Sequence, residues 1–297
     1  MFNCYALAIT AAWRNRPILK LHPGTSANLH CIFSPQTQYF INPAYCADVQ
    51  QDIRPKMRAV LVDWLVEVIE EYRLLPESLY SAVQYLDRYL SKRSVTRQRL
   101  QLLGCACMLI AAKFEEIYMP MAEEFVYITD NAYDRGSILE MEQEVLQVLD
   151  YSVKCATAKH FMTRYLHAAG ATRGDMVTNI VKYLCELSLL EYRFLEYKPS
   201  QVTAAAVLVA RRLEGLTPAW TPTLEHYTGF KQAELEKCAA DLSCAHADAA
   251  TLPIEAVYKK YTHSPYMRVA TKAKYLPLPA GFAPRPSCTS SLSGNTY

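Results

Sequence analysis

The stretch Met57-Arg58-Ala59-Val60-Leu61-Val62-Asp63-Trp64-Leu65-Val66-Glu67-Val68 indicates how the surrounding chain folds. At about 100° of rotation per residue, its apolar side chains fall on one side of an α-helix, which we expect from about 57 to 72. The predicted core positions are Leu61, Leu65, Val68, Ile69 and Tyr72. The opposite arc is acidic and contains Asp63, Glu67, Glu70 and Glu71. A helix with one apolar stripe needs other helices to cover it.

Two features of this helix depart from a simple amphipathic pattern. Val60 lies within the acidic arc, and Met57 and Trp64 lie at its edge, so an apolar patch is rimmed by carboxylates. Such a patch is typical of a protein-docking site, although another segment of the same chain could equally cover it. Arg58 lies in the apolar arc, where a guanidinium needs a carboxylate partner. Asp87, on the next predicted helix, would complete a structural ion pair with it.

Four more helices are predicted downstream, over about 77–91, 98–116, 121–128 and from just after Ser137 to 149. The Ser137 hydroxyl is expected to cap the start of the last of these helices, and Glu140, three residues later, is expected to complete a capping box with it. The pattern of 102–113 returns weakly at 202–212, and that of 139–142 returns at 233–236. We therefore predict an all-α protein of two successive domains with a similar plan and a junction near Tyr151. The alternative is a chance similarity between amphipathic helices.

The ends of the chain have a different composition from its centre. Residues 1–38 show no consistent period and contain scattered prolines, so an irregular or disordered segment is expected. The two helical domains are predicted over 39–151 and 152–265. Residues 266–297 end in a stretch rich in proline and serine, which favours a flexible tail.

The composition of the whole chain excludes several classes of function. The 297 residues include 31 Lys and Arg against 29 Asp and Glu, so nothing favours nucleic acid or an anionic membrane as a main partner. The longest uncharged apolar run inside the helical part, 102–112, is too short to span a bilayer, and the first residues lack a signal peptide's basic region. The ten cysteines contain no CxxC pair, which favours reduced thiols in an intracellular protein over disulfides or zinc.

Motifs for catalysis are missing from the sequence. It contains no GxxxxGK[ST], GxGxxG, HExxH or GxSxG, and its seven histidines are scattered. We therefore expect an interaction module with no catalytic residue, cofactor or metal, rather than an enzyme. The third predicted helix ends in Lys113-Phe114-Glu115-Glu116, which is either a solvated, charged helix end or a site that offers a cation and an aromatic ring to a partner.

Three runs carry a resemblance to a known family. The stretch 57–68, together with Lys113-Phe114-Glu115-Glu116-Ile117-Tyr118 and Phe125-Val126-Tyr127-Ile128-Thr129-Asp130-Asn131, resembles the cyclin box in the form typical of A-type mitotic cyclins. The resemblance implies two tandem five-helix cyclin folds without catalysis or cofactor. It also implies a regulatory subunit of a cyclin-dependent Ser/Thr kinase that controls S phase and G2/M progression, in the nucleus and cytoplasm.

The resemblance also assigns residues to two surfaces. Lys113 and Glu142 match the family's polar anchors to the αC helix of the kinase. The matching apolar contacts are Leu102, Ile110, Phe114, Leu146 and Tyr151. The family's docking patch for Arg-x-Leu motifs of substrates and inhibitors corresponds to Met57, Val60, Leu61, Trp64, Glu67 and Gln101. There, Leu would enter the apolar groove and Glu67 would pair with the Arg.

The N-terminal part departs from this family pattern. Residues 24–34 lack the expected Tyr-x-x-Asp-Ile-like helix, and Arg16-Pro17-Ile18-Leu19 is a poor destruction box. These departures suggest a truncated or divergent member. Two alternatives stay open: a cyclin-fold scaffold that serves as a transcription-type adaptor without kinase activation, and a small all-helical enzyme.

Overall fold

The computed structural model describes residues 41–272, and within that range it contains helices and no strand. The predicted all-α class is confirmed. The first half contains α1 Tyr45–Asp48, α2 Pro55–Tyr72, α3 Pro76–Leu90, α4 Arg97–Glu115, α5 Ala122–Ile128 and α6 Arg135–Val148. The second half contains α7 Ala158–Ala168, α8 Met176–Leu190, α9 Pro199–Leu213, α10 Pro222–Thr228, α11 Gln232–Ala249, α12 Ala256–Thr262 and α13 Val269–Lys272. Short 3-10 segments lie at Tyr192–Glu196 and Ser264–Tyr266.

Helix α4 forms the centre of the first five-helix unit, α2–α6. It packs against α3, α6 and α2, and its residues 102–112 are all buried. Small side chains allow these close approaches. At Gly104 the approach is closest, because a Cβ atom there would lie 2.8 Å from Leu61 Cδ1. The glycine therefore lets α2 and α4 meet without displacing Leu61.

The start of α6 differs from the prediction. Asp134, rather than Ser137, is the N-cap residue, and its carboxylate accepts a hydrogen bond of 2.7 Å from the Ser137 backbone N–H. This bond is the main cause that lowers the pKa of Asp134. Ser137 occupies the third helical position, whose N–H needs an acceptor from outside the helix, so it receives the cap instead of supplying it.

The second unit repeats the plan of the first with helices α7–α11. Helix α9 has the central place that α4 has in the first unit, and it packs against α7, α8 and α11. Its residues 202–210 are all buried, and many of them are alanine or valine. The prediction of two tandem five-helix folds is therefore confirmed.

The packed part of the chain continues beyond the predicted start of the tail at 266. Val269 and Ala270 are 0% and 4% exposed, and α13 packs against α8 and α12. The Tyr266 ring centre lies 4.6 Å from that of Tyr261. Apolar and aromatic side chains thus anchor 266–272 to the second unit, and the expected flexible tail is wrong for these residues. The rest of that tail, 273–297, and the predicted irregular segment 1–38 lie outside the described residues.

Candidate partner-binding surfaces

Arg58 and Asp87 form a buried ion pair where the two units meet. Two hydrogen bonds of 2.7 Å, one to each carboxylate oxygen, join the guanidinium to the carboxylate, and the side chains are 2% and 3% exposed. Tyr45 donates its hydroxyl to Asp87 at 2.9 Å, and Arg58 Nη1 donates to the Leu189 carbonyl at 2.7 Å. Burial and the nearby Asp87 carboxylate raise the pKa of Tyr45. The pair therefore connects α1, α2 and α3 to α8, and its role is structural.

Lys113 and Glu142 form a second ion pair, near the surface of the first unit. Lys113 Nζ lies 2.6 Å from one carboxylate oxygen of Glu142 and 2.7 Å from the other. Glu142 on α6 is buried, whereas Lys113 in the last turn of α4 is partly exposed. The buried carboxylate holds the ammonium group in a fixed place at the edge of the helix bundle.

The apolar residues assigned to the same surface differ in exposure. Tyr151 is 67% exposed, and Phe114 and Leu146 are partly buried. Leu102 and Ile110 are core residues, 6% and 4% exposed, because α2, α3 and α6 enclose α4. The structure thus offers Phe114, Leu146 and Tyr151 to a partner, and very little of Leu102 or Ile110.

The two glutamates after Phe114 have partners within the first unit. Glu116 Oε1 accepts hydrogen bonds from the Leu75 N–H at 2.6 Å and the Ser78 hydroxyl at 2.7 Å. Glu115 accepts from the Ser81 hydroxyl at 2.9 Å, and burial raises its pKa. These carboxylates fasten the end of α4 to the first turns of α3, so they are not simply solvated. Sequence spacing did not show this, because the donors belong to another helix.

An exposed apolar run follows directly and was missed as a candidate surface. Ile117, Tyr118 and Met119 are 71%, 91% and 47% exposed, and Tyr127 on α5 is 79% exposed. The signal was present in the quoted motif, which places aromatic and aliphatic side chains after the charged end of α4. Large apolar side chains left in water beside a fixed cation are typical of a surface that a partner covers.

The predicted docking patch forms an open groove between α2 and α4. Its apolar lining consists of Met57, Val60, Leu61, Trp64 and Leu100, with Gln101 at its side. Val60 is 51% exposed, so no segment within 41–272 covers it, whereas Leu61 is a buried floor residue. Glu67 is exposed on α2, two turns of helix beyond Val60, and does not line the groove.

The rim of this groove differs from the predicted acidic rim. Asp63 accepts a hydrogen bond of 2.9 Å from the Ala256 N–H, and Glu70 lies 3.0 Å from Lys260 Nζ. Both carboxylates therefore bind α12 and join the two units. Lys260 also lies 3.0 Å from Glu186. The charged residues that do line the groove, beside its apolar side chains, are the cations Arg54, Lys56 and Arg97.

We predict a pH dependence from the Asp63 contact with α12. Burial raises the pKa of Asp63 to about 6, although the Ala256 N–H favours its carboxylate form. Because its unfolded pKa is about 3.9, folding takes up a proton at intermediate pH. The contribution of protonated Asp63 to the free energy of unfolding is therefore largest below pH 4, and it is lost as the pH rises through 6.

The Asp63→Asn variant removes that titration and keeps a side-chain oxygen for the Ala256 N–H. The urea midpoint of the variant minus that of the parent should therefore be larger at pH 7.5 than at pH 4.5. Glu71→Gln removes an exposed carboxylate from the same helix and is the matched control. A constant difference for Asp63→Asn across this range would refute the prediction.

Metal and membrane sites have no support in the described residues. The cysteines described within 41–272 are free thiols, and burial raises the pKa of most of them, for example Cys105 to about 12. No cluster of His, Cys, Asp and Glu in this range could hold a metal ion. Likewise, none of the helices in 41–272 has the length and apolarity needed to cross a membrane.

Comparison with known proteins agrees with this architecture. The cyclin N-terminal domain matches residues 28–154, and the cyclin C-terminal domain matches 156–275. Cyclin-A1-1 of Oryza sativa subsp. japonica is 46% identical over 244 residues, which cover 81% of this chain and 48% of that protein. The G2/mitotic-specific cyclin-A of Hydra viridissima is 45% identical over 71% of this chain and 50% of its own length. The chain thus spans about half the length of the curated relatives it matches.

Solved structures show the same fold at low sequence identity. A viral cyclin from herpesvirus saimiri superimposes with a TM-score of 0.64 at 19% identity, covering 73% of this chain and 97% of its own. A chain of the yeast RNA Pol II CTD kinase CTDK-1 complex superimposes with a TM-score of 0.58 at 12% identity, covering 92% and 89%. With both of its domains matched and A-type cyclins among its relatives, the chain belongs to the cyclin family and to its A-type group.

Proposed function

We propose that this chain is the activating, regulatory subunit of a cyclin-dependent Ser/Thr protein kinase and carries out no catalysis itself. The observation that carries the proposal is the Lys113–Glu142 pair, fixed at the bundle edge beside Phe114 in a chain of the A-type cyclin group. The role that we propose is in S phase and G2/M progression, and the relative named G2/mitotic-specific cyclin-A supports its G2/M part. The corresponding location is the nucleus and cytoplasm. Activation of a monomeric kinase by the purified chain tests the proposal.

The mechanism begins with packing of the kinase αC helix on the surface at the end of α4 and on α6. An ammonium group has three donors, and two of those on Lys113 reach Glu142. The remaining donor is held in place for an acceptor on the kinase. Phe114, Leu146 and Tyr151 supply the apolar contact. When the kinase αC helix is held inward by this contact, its own glutamate reaches the kinase lysine that positions ATP. The kinase then performs the phosphoryl transfer.

The groove between α2 and α4 has a separate role as a docking site for Arg-x-Leu segments of substrates and inhibitors. Its apolar lining can accept a leucine side chain, and Met57 and Trp64 flank the exposed Val60. Glu67 lies on the same helix in water, where it can pair with the arginine. Docking here would raise the local concentration of a substrate near the kinase without changing the chemical step.

We predict that Met57→Ala combined with Trp64→Ala separates docking from activation. Phosphorylation of substrates that contain an Arg-x-Leu segment should fall about tenfold, because two large side chains of the apolar contact are removed. Phosphorylation of a short peptide without the segment should be unchanged. Leu216→Ala, at an exposed leucine of the second unit, is the control. An equal loss on both substrates would mean that the two side chains serve only folding.

A further inference from the structure

The turn that follows α6 has two successive residues in an uncommon backbone conformation. Asp150 and Tyr151 have φ angles of 53° and 54°, in the left-handed region where a Cβ atom crowds the backbone. The Tyr151 N–H donates to the Leu146 carbonyl at 2.8 Å, which is the closing hydrogen bond of a Schellman motif. That motif requires one left-handed residue, here Asp150. The left-handed conformation of Tyr151 is therefore an additional strain in the backbone.

Packing of the Tyr151 side chain does not compensate for this strain. In a Schellman motif, the residue at this position often packs against the residue whose carbonyl it binds, here Leu146. Tyr151 is instead 67% exposed, and Leu146 is only partly buried. A strained backbone that presents a large aromatic ring to water is more typical of a functional site than of an element that serves folding.

Side chains on α3 and just after it hold the turn in place. Three of them donate hydrogen bonds to backbone carbonyls on either side of Asp150 and Tyr151, namely Tyr85 to Val153 at 2.8 Å, Arg88 to Ser152 at 2.8 Å and Lys92 to Val148 at 2.9 Å. Tyr85 and Arg88 are buried. Backbone strain persists only where the surroundings impose it, and these three donors supply that restraint.

The restrained turn continues the surface proposed for kinase binding. Leu146 lies one helical turn after Glu142 on α6, and Glu142 binds Lys113. Tyr151 extends this line of residues past the end of α6. An aromatic side chain that is already held in place loses less conformational entropy when a partner covers it. The fixed turn therefore favours affinity for the kinase over stability of the free chain.

We propose that Tyr85, Arg88 and Lys92 are positioning residues for kinase binding, which hold the Asp150–Tyr151 turn so that the Tyr151 ring stays exposed for the kinase. This role rests on the proposed regulatory function and adds to it three residues that act through Tyr151. If the three donors served folding alone, their loss would change the stability of the chain and leave its kinase affinity unaltered.

A double-mutant cycle tests this role with the full chain and an immobilised cyclin-dependent kinase. Tyr85→Phe removes only the hydroxyl group that donates to the Val153 carbonyl, and Tyr151→Ala removes the side chain that is positioned. Tyr151→Ala should weaken binding about tenfold, and Tyr85→Phe about threefold. In the Tyr151→Ala background, Tyr85→Phe should cause no further loss, because it acts through Tyr151. An equal loss in both backgrounds, or none in the parent, overturns the proposal.

Two other variants provide a second cycle and a control. Lys92→Met removes the donor to the Val148 carbonyl at a more exposed position, so it replaces Tyr85→Phe in the cycle if that variant disturbs folding. Tyr133→Phe removes a hydroxyl group that donates at 2.8 Å to the Gln98 carbonyl, at the opposite end of α4 from the proposed kinase contact. Tyr133→Phe should leave kinase affinity unchanged in both backgrounds.

Replacing Tyr151 with glycine separates strain from binding. Because glycine adopts the left-handed conformation without steric cost, Tyr151→Gly should raise the urea midpoint of unfolding while it weakens kinase affinity about tenfold. Arg268 has a φ angle of 56° and is exposed in the segment packed on the second unit, so Arg268→Gly is the matched control. It should raise the midpoint without changing kinase affinity. A lower midpoint for Tyr151→Gly would contradict the proposal, since the Tyr151 side chain would then serve folding.

Failure of the positioning role and failure of the regulatory function give different results. If the parent chain binds the kinase and Tyr151→Ala binds equally well, the positioning role is wrong and the regulatory function stands. If the parent chain binds no cyclin-dependent kinase, the regulatory function itself fails. The helical circular dichroism signal of each variant shows whether a loss of affinity comes from unfolding.

Discussion

Replacing Arg58 with alanine should lower the free energy of unfolding by about 3–5 kcal/mol, because the substitution leaves the Asp87 carboxylate buried without its guanidinium. The Asp87 side chain is only 3% exposed and cannot recover its hydration without local unfolding. The loss should extend to both units, since Arg58 also donates to the Leu189 carbonyl on α8. Chemical denaturation followed by circular dichroism measures it.

Two further variants test whether the buried charge is the cause. Arg97→Ala breaks an ion pair at the surface, with Asp52, and should cost far less. Arg58→Met combined with Asp87→Leu removes both charges and should recover part of the loss, because apolar side chains tolerate burial. If the double variant is no more stable than Arg58→Ala, lost packing rather than an uncompensated charge explains the effect.

The second large effect is expected in kinase binding. Lys113→Ala combined with Glu142→Ala should weaken the affinity for a cyclin-dependent kinase by about 30-fold or more, the size expected when a buried, hydrogen-bonded charge is removed from an interface. The physical reason is the geometry of the pair, since Glu142 holds the ammonium that would contact the kinase. Surface plasmon resonance against an immobilised kinase measures the dissociation constant.

The matched control removes a comparable pair from the second unit. Arg212 Nη2 lies 2.6 Å from Glu236 Oε1, and both side chains are partly exposed. Arg212→Ala with Glu236→Ala should leave kinase affinity unchanged, while denaturation curves report any general loss of stability in either double variant. Equal affinities of the Lys113–Glu142 variant and the parent chain would show that this pair is not the anchor.

The features that sequence reasoning found are those with local causes. Arg58 falls in the apolar arc of a helix, and a carboxylate on the next helix follows from the need to compensate a buried charge. The small residues of α4 likewise indicate a central helix, and the structure places it there. Each of these inferences depends on helical spacing or on neighbouring elements.

Several of the features that it missed depend on distant contacts or on small shifts in a helix start. Asp63 and Glu70 have the spacing of a solvated face, but both carboxylates bind α12, nearly two hundred residues later in the chain. The buried Lys260 bridges Glu70 and Glu186 for the same reason. Ser137 was expected to cap α6, but the helix begins three residues earlier, after Asp134. A periodic pattern shows which side chains share a face, but not which distant helix covers them.

Activation of a monomeric cyclin-dependent kinase by the purified chain, followed as phosphate transfer to a histone-type peptide, tests the proposed regulatory function. We expect strong activation by the parent chain and by the Met57→Ala, Trp64→Ala variant. The Lys113→Ala, Glu142→Ala variant should lose most of this activation while it retains the helical circular dichroism signal. If the folded parent chain leaves every kinase tested at its basal rate, the regulatory-subunit account is contradicted and the adaptor function is favoured.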